Sequence, residues 1–236
     1  MIETVAETGS TNADLAARLR NGERVAEGDW LIADRQVAGR GRQGRPWSDG
    51  AGNFMGSTLV RPGPGDPPAH TLTLMAALAV YDAVLPLLAE PQALAIKWPN
   101  DLLLRGAKLS GILLERVGEA VVVGIGVNLA QAPDLPDRPA VALAQLGPAP
   151  GRDAFAATLA EAFDRELERW RTFGIEPLVR RWLAAAHPVG TALRVHDAEG
   201  QPTSGRFAGL AADGSLLLRL EDGTTRAIHA GDVTLG

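Results

Sequence analysis

The sequence predicts a large domain that mixes helices and strands, followed by a small domain built from β-strands. Before residue 187, short apolar runs typical of strands are interspersed with longer runs whose apolar residues recur every three or four positions, which indicates helices. After that point the chain contains only short alternating segments separated by turn sequences. With 236 residues, of which 46% are hydrophobic, the chain can bury a core in a large domain and a small one. We therefore place the domains at residues 1–187 and 188–236.

The large domain begins with a predicted strand at residues 1–8, and the spacing of Leu15 and Leu19 then predicts a helix at residues 13–19. Three longer helices are predicted at residues 70–88, 153–171 and 175–185. Further strands are predicted at residues 29–33, 53–60, 93–98, 101–104, 107–115 and 119–127. The valine-rich run of the last strand indicates burial on both sheet faces. The proline-rich residues 133–150 are predicted to be a connection with one short helical turn near Val141.

The small domain is predicted to be a β-barrel or curled sheet of four strands. These strands are expected at residues 192–196, 204–210, 215–220 and 224–229. The turns between them carry the hairpin sequences Glu199-Gly200, Asp213-Gly214 and Asp222-Gly223.

Composition excludes several function classes. The formal net charge is -5, so no global field favours nucleic acid or anionic lipid. The chain has no cysteine, which excludes disulfides and thiol catalysis and agrees with a cytoplasmic location. Its four histidines show no metal-ligand spacing. The start of the chain lacks a basic region followed by an apolar one, so no signal peptide is expected. Apolar stretches interrupted by Pro86 and Pro91 are expected to be too short for a membrane span.

An arginine- and glycine-rich loop at residues 34–47 stands out against this acidic background. Glycine lets the backbone pass close to a ligand, and arginine offers a permanent charge with a planar fork of donors suited to carboxylate and phosphate. The segment therefore predicts a mobile loop that closes over a small anion. A solvated loop and an RNA-binding segment are the alternatives, although the net charge and the lack of interleaved aromatic residues disfavour RNA. The loop also matches the spelling of a dinucleotide-binding motif, but no crossover helix follows it.

Two polar turns add further candidates. Ser10-Thr11-Asn12 is expected to cap the helix at residues 13–19, and the same hydroxyls and N–H groups could bind polar ligand atoms. The segment Lys97-Trp98-Pro99-Asn100-Asp101 ends one strand and opens the next, and Lys97 could simply pair with Asp101. Both turns can be explained structurally, so neither identifies a ligand alone.

Two strands carry residues that a purely structural role does not require. Lys108 lies in a largely apolar strand, where it needs an anionic partner to offset desolvation. Strict alternation would place Lys108 and Ser110 on one face, and Leu109 and Gly111 on the other. In the segment 124–128, two glycines permit close approach of a ligand, and a terminal asparagine offers an amide for a base or ribose.

These five segments, in this order, resemble the bacterial biotin–protein ligase family, in the form without an N-terminal DNA-binding domain. They are residues 10–12, 39–47, 97–101, 108–115 and 124–128. The resemblance covers nearly the whole chain. It implies an α+β fold similar to class II aminoacyl-tRNA synthetases, with a mixed, mostly antiparallel sheet, flanking helices and a small C-terminal SH3-like β-barrel. It also implies that biotin and ATP form biotinyl-5′-AMP, which then biotinylates a lysine of a carrier protein.

The resemblance implies a role for each matching residue. The residues implied to bind biotin are Ser10, Thr11, Asn12, Gln36, Gly39, Arg40, Gly41, Arg42, Lys108 and Gly111. Those implied to bind ATP or the adenylate are Arg40, Arg42, Arg45, Trp47, Asn100, Lys108 and Asn128. The implied catalytic residues are Lys108, Arg40, Arg42 and Asp101, with Asp101 placed to help the incoming amine lose its proton. Family members often carry Ser-Pro shortly after the tryptophan, whereas residues 48–50 here are Ser-Asp-Gly, so the far end of the loop is expected to be more flexible.

The implied cofactor is ATP, with Mg²⁺ carried on its phosphates and no separate metal site, and biotin is the substrate. The implied partner is the biotin carboxyl carrier protein domain of acetyl-CoA carboxylase or a related carboxylase, with no nucleic acid and no membrane. The protein is expected to be cytoplasmic, as a monomer or homodimer. The alternatives are a lipoate–protein ligase, which shares the adenylation chemistry, and a non-catalytic module that binds biotin or nucleic acid.

Overall fold

The computed structural model describes residues 1–135, 138–196 and 202–236, so the predicted turn at Glu199-Gly200 lies outside the described residues. Seven strands form the large sheet: β1 Ile2–Thr8, β2 Trp30–Gln36, β3 Phe54–Val60, β4 Leu94–Lys97, β5 Asp101–Leu104, β6 Ala107–Val117 and β7 Ala120–Val127. Their spatial order is β1-β2-β3-β7-β6-β5-β4. Only the β1–β2 pair is parallel among them, so the sheet is mixed and mostly antiparallel. This confirms the predicted fold class.

Four helices cover the two faces of this sheet: α1 Thr11–Arg20, α2 Leu72–Val84, α3 Arg152–Phe173 and α4 Ile175–Ala185. On one face, Leu15 of α1 packs in a small cluster with Val122 of β7. On the other face, Val121 and Val123 belong to the main core together with the apolar side chains of the other three helices. The valine-rich strand is therefore buried on both faces, as its sequence predicted.

The predicted helix at residues 70–88 is a short α-helix flanked by single 3₁₀ turns. The turns are Ala69–Thr71 and Leu85–Leu87, the second of which contains Pro86. Taken together, the run Ala69–Leu87 is long and apolar enough to cross a membrane, so the expectation from length was wrong. Most of this run is buried inside the protein, where it packs against the sheet and α3.

The last part of the chain forms a second, five-stranded sheet. Its strands are β8 Ala192–His196, β9 Pro202–Leu210, β10 Leu216–Arg219, β11 Thr225–Ile228 and β12 Asp232–Leu235. They follow the order β11-β10-β9-β8-β12, and every pairing is antiparallel. Strand β12 was not predicted from the sequence. It returns to pair with β8, and it contacts Arg45 and Lys97 of the large domain.

Strand β6 departs from the alternation expected of its sequence. Opposite β5, Leu102 pairs with Ser110 but Leu103 pairs with Lys108, so Leu109 is an extra residue in β6. Such a bulge shifts the facing of every residue beyond it by one position. Lys108 therefore lies on the same face as Gly111, where an added Cβ would be 3.3 Å from Lys108 Nζ. The prediction that these two residues lie on opposite faces was wrong.

Candidate active site

A cavity of about 410 Å³ opens on the α1 side of the large sheet. It collects nearly every residue that the sequence singled out. The cavity is lined by the predicted residues Ser10, Thr11, Asn12, Gln36, Arg40, Gly41, Arg42, Arg45, Trp47, Asn100, Asp101, Lys108, Gly111 and Asn128. Gly39 is buried just behind this wall, where a Cβ would approach Trp47 O at 3.1 Å and Gln36 Nε2 at 3.2 Å. Five separate chain segments thus converge on one space.

One end of the cavity is lined by uncharged polar side chains, whose hydrogen-bond network extends to the carboxylate of Glu115. Gln36 Oε1 accepts from the backbone N–H of Thr11 at 2.7 Å and from its hydroxyl at 3.0 Å. Ser57 Oγ lies 2.6 Å from Thr11 Oγ1 and 2.6 Å from Asn12 Oδ1. Asn12 Nδ2 in turn donates to Glu115 Oε2 at 2.7 Å. Because each group holds its neighbour, the amide and hydroxyl orientations at this end are fixed before any ligand arrives.

The start of α1 differs from the capping expected of its sequence. Ser10 occupies the N-cap position with extended backbone, but its hydroxyl makes no capping hydrogen bond. The side chain of Gln36, on β2, instead accepts from the first helical N–H at Thr11. The side-chain cap of α1 is therefore supplied by strand β2, and Ser10 lines the cavity.

Ser57 and Glu115 belong to this network, although sequence reasoning did not select them. Ser57 lies in β3, whose seven residues are all buried, and a hydroxyl inside such a strand was an available signal. Glu115 was recognised only as part of the β6 motif. Its role depends on Gly124, whose missing side chain leaves the space that Asn12 fills: an added Cβ would lie 2.2 Å from Asn12 Oδ1.

The other end of the cavity holds a buried carboxylate between two lysines. Asp101 Oδ1 lies 2.7 Å from Lys108 Nζ, and Asp101 Oδ2 lies 3.0 Å from Lys97 Nζ. Burial alone would raise the pKa of Asp101, but the two ammonium groups outweigh it and hold this pKa below its ordinary value. Asp101 is therefore ionised at neutral pH. The pairing of Lys97 with Asp101 matches the structural reading of the sequence, and Lys108 has found the anionic partner that it was expected to need.

The arginine-rich loop closes one wall of the cavity and contacts the second sheet. Arg42 donates to Asn100 Oδ1 at 3.2 Å and to the carbonyl of Gly231 at 3.2 Å. Burial lowers the pKa of Arg42, yet an arginine remains charged at neutral pH. Arg45 forms an ion pair with Asp232, the first residue of β12. Arg40 is exposed at the outer side of the loop. The loop therefore presents one cation held by hydrogen bonds, Arg42, and one exposed cation, Arg40, to the cavity.

Trp47 lies flat against the sheet at the base of this loop. A Cβ at Gly126 would be 2.3 Å from Trp47 Cε2, and one at Gly111 would be 2.9 Å from Trp47 Cζ3, so the two glycines leave the space that the indole occupies. Lys108 Nζ lies 5.7 Å from the ring centroid, within the range of a cation–π contact. Gly111 of β6 and Gly126 of β7 are thus explained by the space that the Trp47 ring needs, and neither glycine lies in a turn.

Asn100 and Asn128 line the cavity with part of each side chain already engaged. Asn100 Nδ2 donates to the carbonyl of Ile112 at 2.7 Å. Asn128 Nδ2 donates to the carbonyls of Lys108 and Val141 at 3.3 and 3.2 Å, which ties the proline-rich connection to the sheet. Within the described ranges, no group of three or more His, Asp or Glu side chains could hold a metal ion.

Comparison with known proteins shows which family the chain resembles. The family model described as "Biotin/lipoate A/B protein ligase family" matches residues 7–130, and a model of the biotin protein ligase C-terminal domain matches residues 191–236. The chain belongs to the biotin/lipoate A/B protein ligase family. The matched ranges contain every site residue that the sequence predicted and also strand β12.

Relatives within this family match the chain from end to end. It is 41% identical over 244 residues to the biotin–[acetyl-CoA-carboxylase] ligase of Paracoccus denitrificans, covering 98% of this chain and 99% of that one. It is 40% identical over 238 residues to the enzyme of the same name from Mycobacterium tuberculosis, covering 98% and 88%. The biotin protein ligase of Aquifex aeolicus, solved in complex with biotin and ATP, superposes with a TM-score of 0.83 at 25% identity, covering 100% and 98%.

In a biotin/lipoate ligase fold, this arrangement can join two anions without an enzyme nucleophile. Lys108 and Arg42 supply fixed positive charge, Asn100 positions Arg42, and the loop can exclude water. Positioning and electrostatic stabilisation are sufficient for such a reaction.

Proposed function

We propose that this protein is an ATP-dependent biotin ligase that biotinylates a lysine on the biotin carrier domain of acetyl-CoA carboxylase through biotinyl-5′-AMP. The names of its 41% and 40% identical relatives support the substrate and the partner. The Aquifex aeolicus neighbour, solved with biotin and ATP, supports the two small molecules. The observation that carries the proposal is the shape of the cavity, which has a neutral polar end and a cationic end on one sheet face.

The neutral end suits the ureido ring of biotin. A ureido group offers two N–H donors and one carbonyl acceptor, all uncharged. Thr11 and Ser57 supply hydroxyls, while Gln36 and Asn12 supply amides whose orientations are already fixed by their mutual hydrogen bonds. Ser10, whose hydroxyl makes no capping bond, is available to the ligand. We place the ring at this end, above Gly124, with the valerate chain directed toward Lys108.

The cationic end suits the biotin carboxylate and the α-phosphate of ATP. In the first step a carboxylate oxygen attacks the α-phosphorus, the bond to the bridging oxygen breaks, and pyrophosphate leaves. Lys108, Arg40 and Arg42 offset the repulsion between the two anions and the charge that develops on the phosphorus oxygens. Loss of one such contact should cost about 2–4 kcal/mol in the transition state. Gly41, half-buried between the two arginines, lets the backbone approach the same oxygens.

The nucleotide would occupy the side of the cavity beneath the loop. Trp47 would stack on the adenine, Arg45 and Asn128 would contact the nucleotide, and Asn100 would hold Arg42 against the phosphates. Mg²⁺ would arrive on the ATP phosphates, because the described residues offer no carboxylate cluster to hold it separately. Closure of the loop would shield the adenylate from water between the two steps.

In the second step the carrier lysine attacks the acyl carbon, the bond to AMP breaks, and the amine nitrogen loses a proton. Asp101 is the carboxylate nearest to this centre. Because its pKa is held low by two lysines, it is ionised but weakly basic, and it serves by attracting the incoming ammonium and accepting a hydrogen bond from it. Water accepts the proton that the ammonium loses before the neutral amine attacks, and also the proton that the nitrogen loses after the attack.

A pyrophosphate assay tests the proposal. Purified protein with ATP and Mg²⁺ should release pyrophosphate on addition of biotin but not of lipoate, and should label a carrier domain in the presence of biotin. Release with lipoate alone would favour the lipoate ligase, and release with neither would favour a binding module. Lys108→Ala and Arg40→Ala should each lose adenylate formation to a far greater extent than thermal stability. Arg20→Ala, at the exposed end of α1, serves as the matched control.

The remaining parts of the proposal concern assembly and location. We propose a cytoplasmic enzyme, present as a monomer or homodimer, that acts without nucleic acid or membrane. Light scattering at several protein concentrations, with and without biotin and ATP, measures the assembly state. A filter-binding assay with duplex DNA at low salt tests for nucleic acid, where retention of DNA would contradict the proposal.

A further inference from the structure

The chain contains only two lysines, and both contact the same carboxylate. Lysine and arginine together number 23, so arginine occupies every other basic position. Lys97 and Lys108 lie on different strands, β4 and β6, and converge on Asp101 from either side. Lys108 has a proposed ligand to bind, whereas Lys97 has none. Lys97 therefore requires a separate explanation.

Lys97 also reaches the second sheet. Its Nζ donates to the carbonyl of Val233, on β12, at 2.8 Å. A continuous chain of contacts thus runs from Val233 through Lys97 and Asp101 to Lys108. The side chains of Lys97 and Asp101 are 8% and 5% exposed, so water screens little of their interaction.

We propose that Lys97 is a positioning residue that ties strand β12 to the reacting centre and keeps Asp101 ionised and directed at Lys108. This rests on the proposed function in so far as Lys108 binds the biotin carboxylate. When Lys108 turns toward that carboxylate, Asp101 loses part of its charge compensation. Lys97 then supplies the compensation that remains, and its bond to Val233 keeps it in place.

A lysine is required at this position because of its shape. An ammonium is a compact point charge with three donors, and here it must serve a backbone carbonyl and a carboxylate oxygen within a nearly closed space. A planar guanidinium is larger and would separate β4 from β12. This explains why arginine, the basic residue used elsewhere in the chain, is absent here.

The charged groups around Asp101 determine what removal of Lys97 should do. Two cations face Asp101: Lys108 from β6 and Arg42 from the loop. Two further titratable groups lie near Lys97: Asp232, on β12, and His187, which follows α4. The burial of Asp101 opposes its ionisation, and Lys97 is the largest influence in the other direction. Without Lys97, the pKa of Asp101 should rise, and the proton uptake should appear in the pH dependence of adenylate formation.

Three substitutions separate the functions of Lys97. Lys97→Met removes the charge and the donor, Lys97→Gln keeps a donor for Val233 without the charge, and Lys97→Arg keeps the charge. Arg105→Met, which breaks an exposed ion pair with Glu90 on the same hairpin, is the matched control. For each variant we would follow the Asp101 carboxyl carbon by NMR from pH 3 to 8, using Asp101→Asn to assign the signal. We would also measure pyrophosphate release across the pH range.

Lys97→Met and Lys97→Gln should both raise the pH midpoint of the Asp101 carboxyl titration. Both should also reduce kcat about 100-fold and move the acidic limb of the rate profile to higher pH. Lys97→Arg should keep the acidic limb of the profile at the wild-type pH because it keeps the charge, but it should lower kcat because the larger guanidinium displaces β12. Arg105→Met should match wild type. If the Asp101 signal titrates as in wild type in either neutral variant, the proposal fails. If Lys97→Met and Lys97→Gln lower thermal stability but leave the pH profile unchanged, Lys97 only stabilises the fold, and the proposal is also refuted. If wild type releases no pyrophosphate, the proposed function fails, but the carboxyl titration still decides the role of Lys97.

Discussion

Alanine substitution at the two glycines of β7 should separate biotin binding from nucleotide binding. Gly124 and Gly126 lie two residues apart on the same face of one strand, so either substitution adds one methyl group to the same cavity wall. Their neighbours differ. The Cβ at Gly124 would meet Asn12, in the neutral end, whereas the Cβ at Gly126 would meet Trp47, beneath the loop.

The magnitude follows from the distances. At Gly126 the added carbon would lie 2.3 Å from two atoms of the Trp47 ring. Carbon atoms in contact stay about 3.5–4.0 Å apart, so the ring must move by more than about 1 Å. A rigid indole cannot bend away as the end of a flexible side chain could. Overpacking of this kind costs about 1–3 kcal/mol, which corresponds to about 5–150-fold in affinity if it falls on the closed loop.

Calorimetric titration of biotin, followed by a non-hydrolysable ATP analogue in the presence of biotin, measures both affinities. Gly126→Ala should weaken the analogue within that range and change biotin affinity little. Gly124→Ala should do the reverse, because it displaces Asn12 from its bond to Ser57. Gly65→Ala, where an added Cβ meets nothing within 4 Å, is the control. Wild-type affinity for the analogue in Gly126→Ala, or the opposite assignment of the two effects, would refute the reasoning.

Three further predictions follow from other parts of the structure. Asp232→Asn removes a partly exposed ion pair with the loop, worth about 0–1 kcal/mol, so the KM for ATP should rise at most about fivefold; a larger rise in steady-state kinetics would contradict this. Burial lowers the pKa of His187, so its contribution to stability is complete above the unfolded pKa of about 6.5 and is lost as pH falls below it. His187→Phe should remove this loss of stability at acid pH. In urea titrations at several pH values, an unchanged pH dependence of the free energy of unfolding would contradict the prediction. Incubation with biotin and ATP should leave Lys97 and Lys108 unlabelled by peptide mass spectrometry, because both are held in ion pairs with Asp101, whereas Arg105→Lys should create a labelled, exposed acceptor.

Periodicity and turn chemistry were sufficient to predict most of the fold. The continuous valine-rich run of β7 predicted a strand buried on both faces, because valine at successive positions leaves neither face for water. The apolar spacing from Phe155 to Trp170 predicted α3, whose buried residues follow the same spacing. Candidate site residues were predictable from charge. A cluster of arginines in a loop, or a lysine in an apolar strand, needs an anionic ligand or partner to offset the cost of desolvation.

Two features of the site were beyond such reasoning. A bulge at Leu109 reverses the facing of Lys108, and nothing in the local sequence shows where an extra residue will be accommodated. The capping of α1 by Gln36 joins residues 25 positions apart, so local capping rules select Ser10 instead. Both errors arise because register and long-range hydrogen bonds are decided by the assembled sheet, not by the neighbours along the chain.

Strand β12 shows the same limit in a form that bears on function. It has only four residues, and the chain ends one residue after it, so an alternating pattern has no length in which to appear. Two contacts with the site are made by backbone carbonyls, that of Gly231, just before the strand, to Arg42 and that of Val233, within it, to Lys97. Every residue carries a carbonyl, so no side-chain pattern can mark these two as functional. The second sheet therefore contacts the candidate site through groups that only the folded chain reveals. We expect substitutions that displace β12 to impair adenylate formation even where the altered side chain touches no substrate.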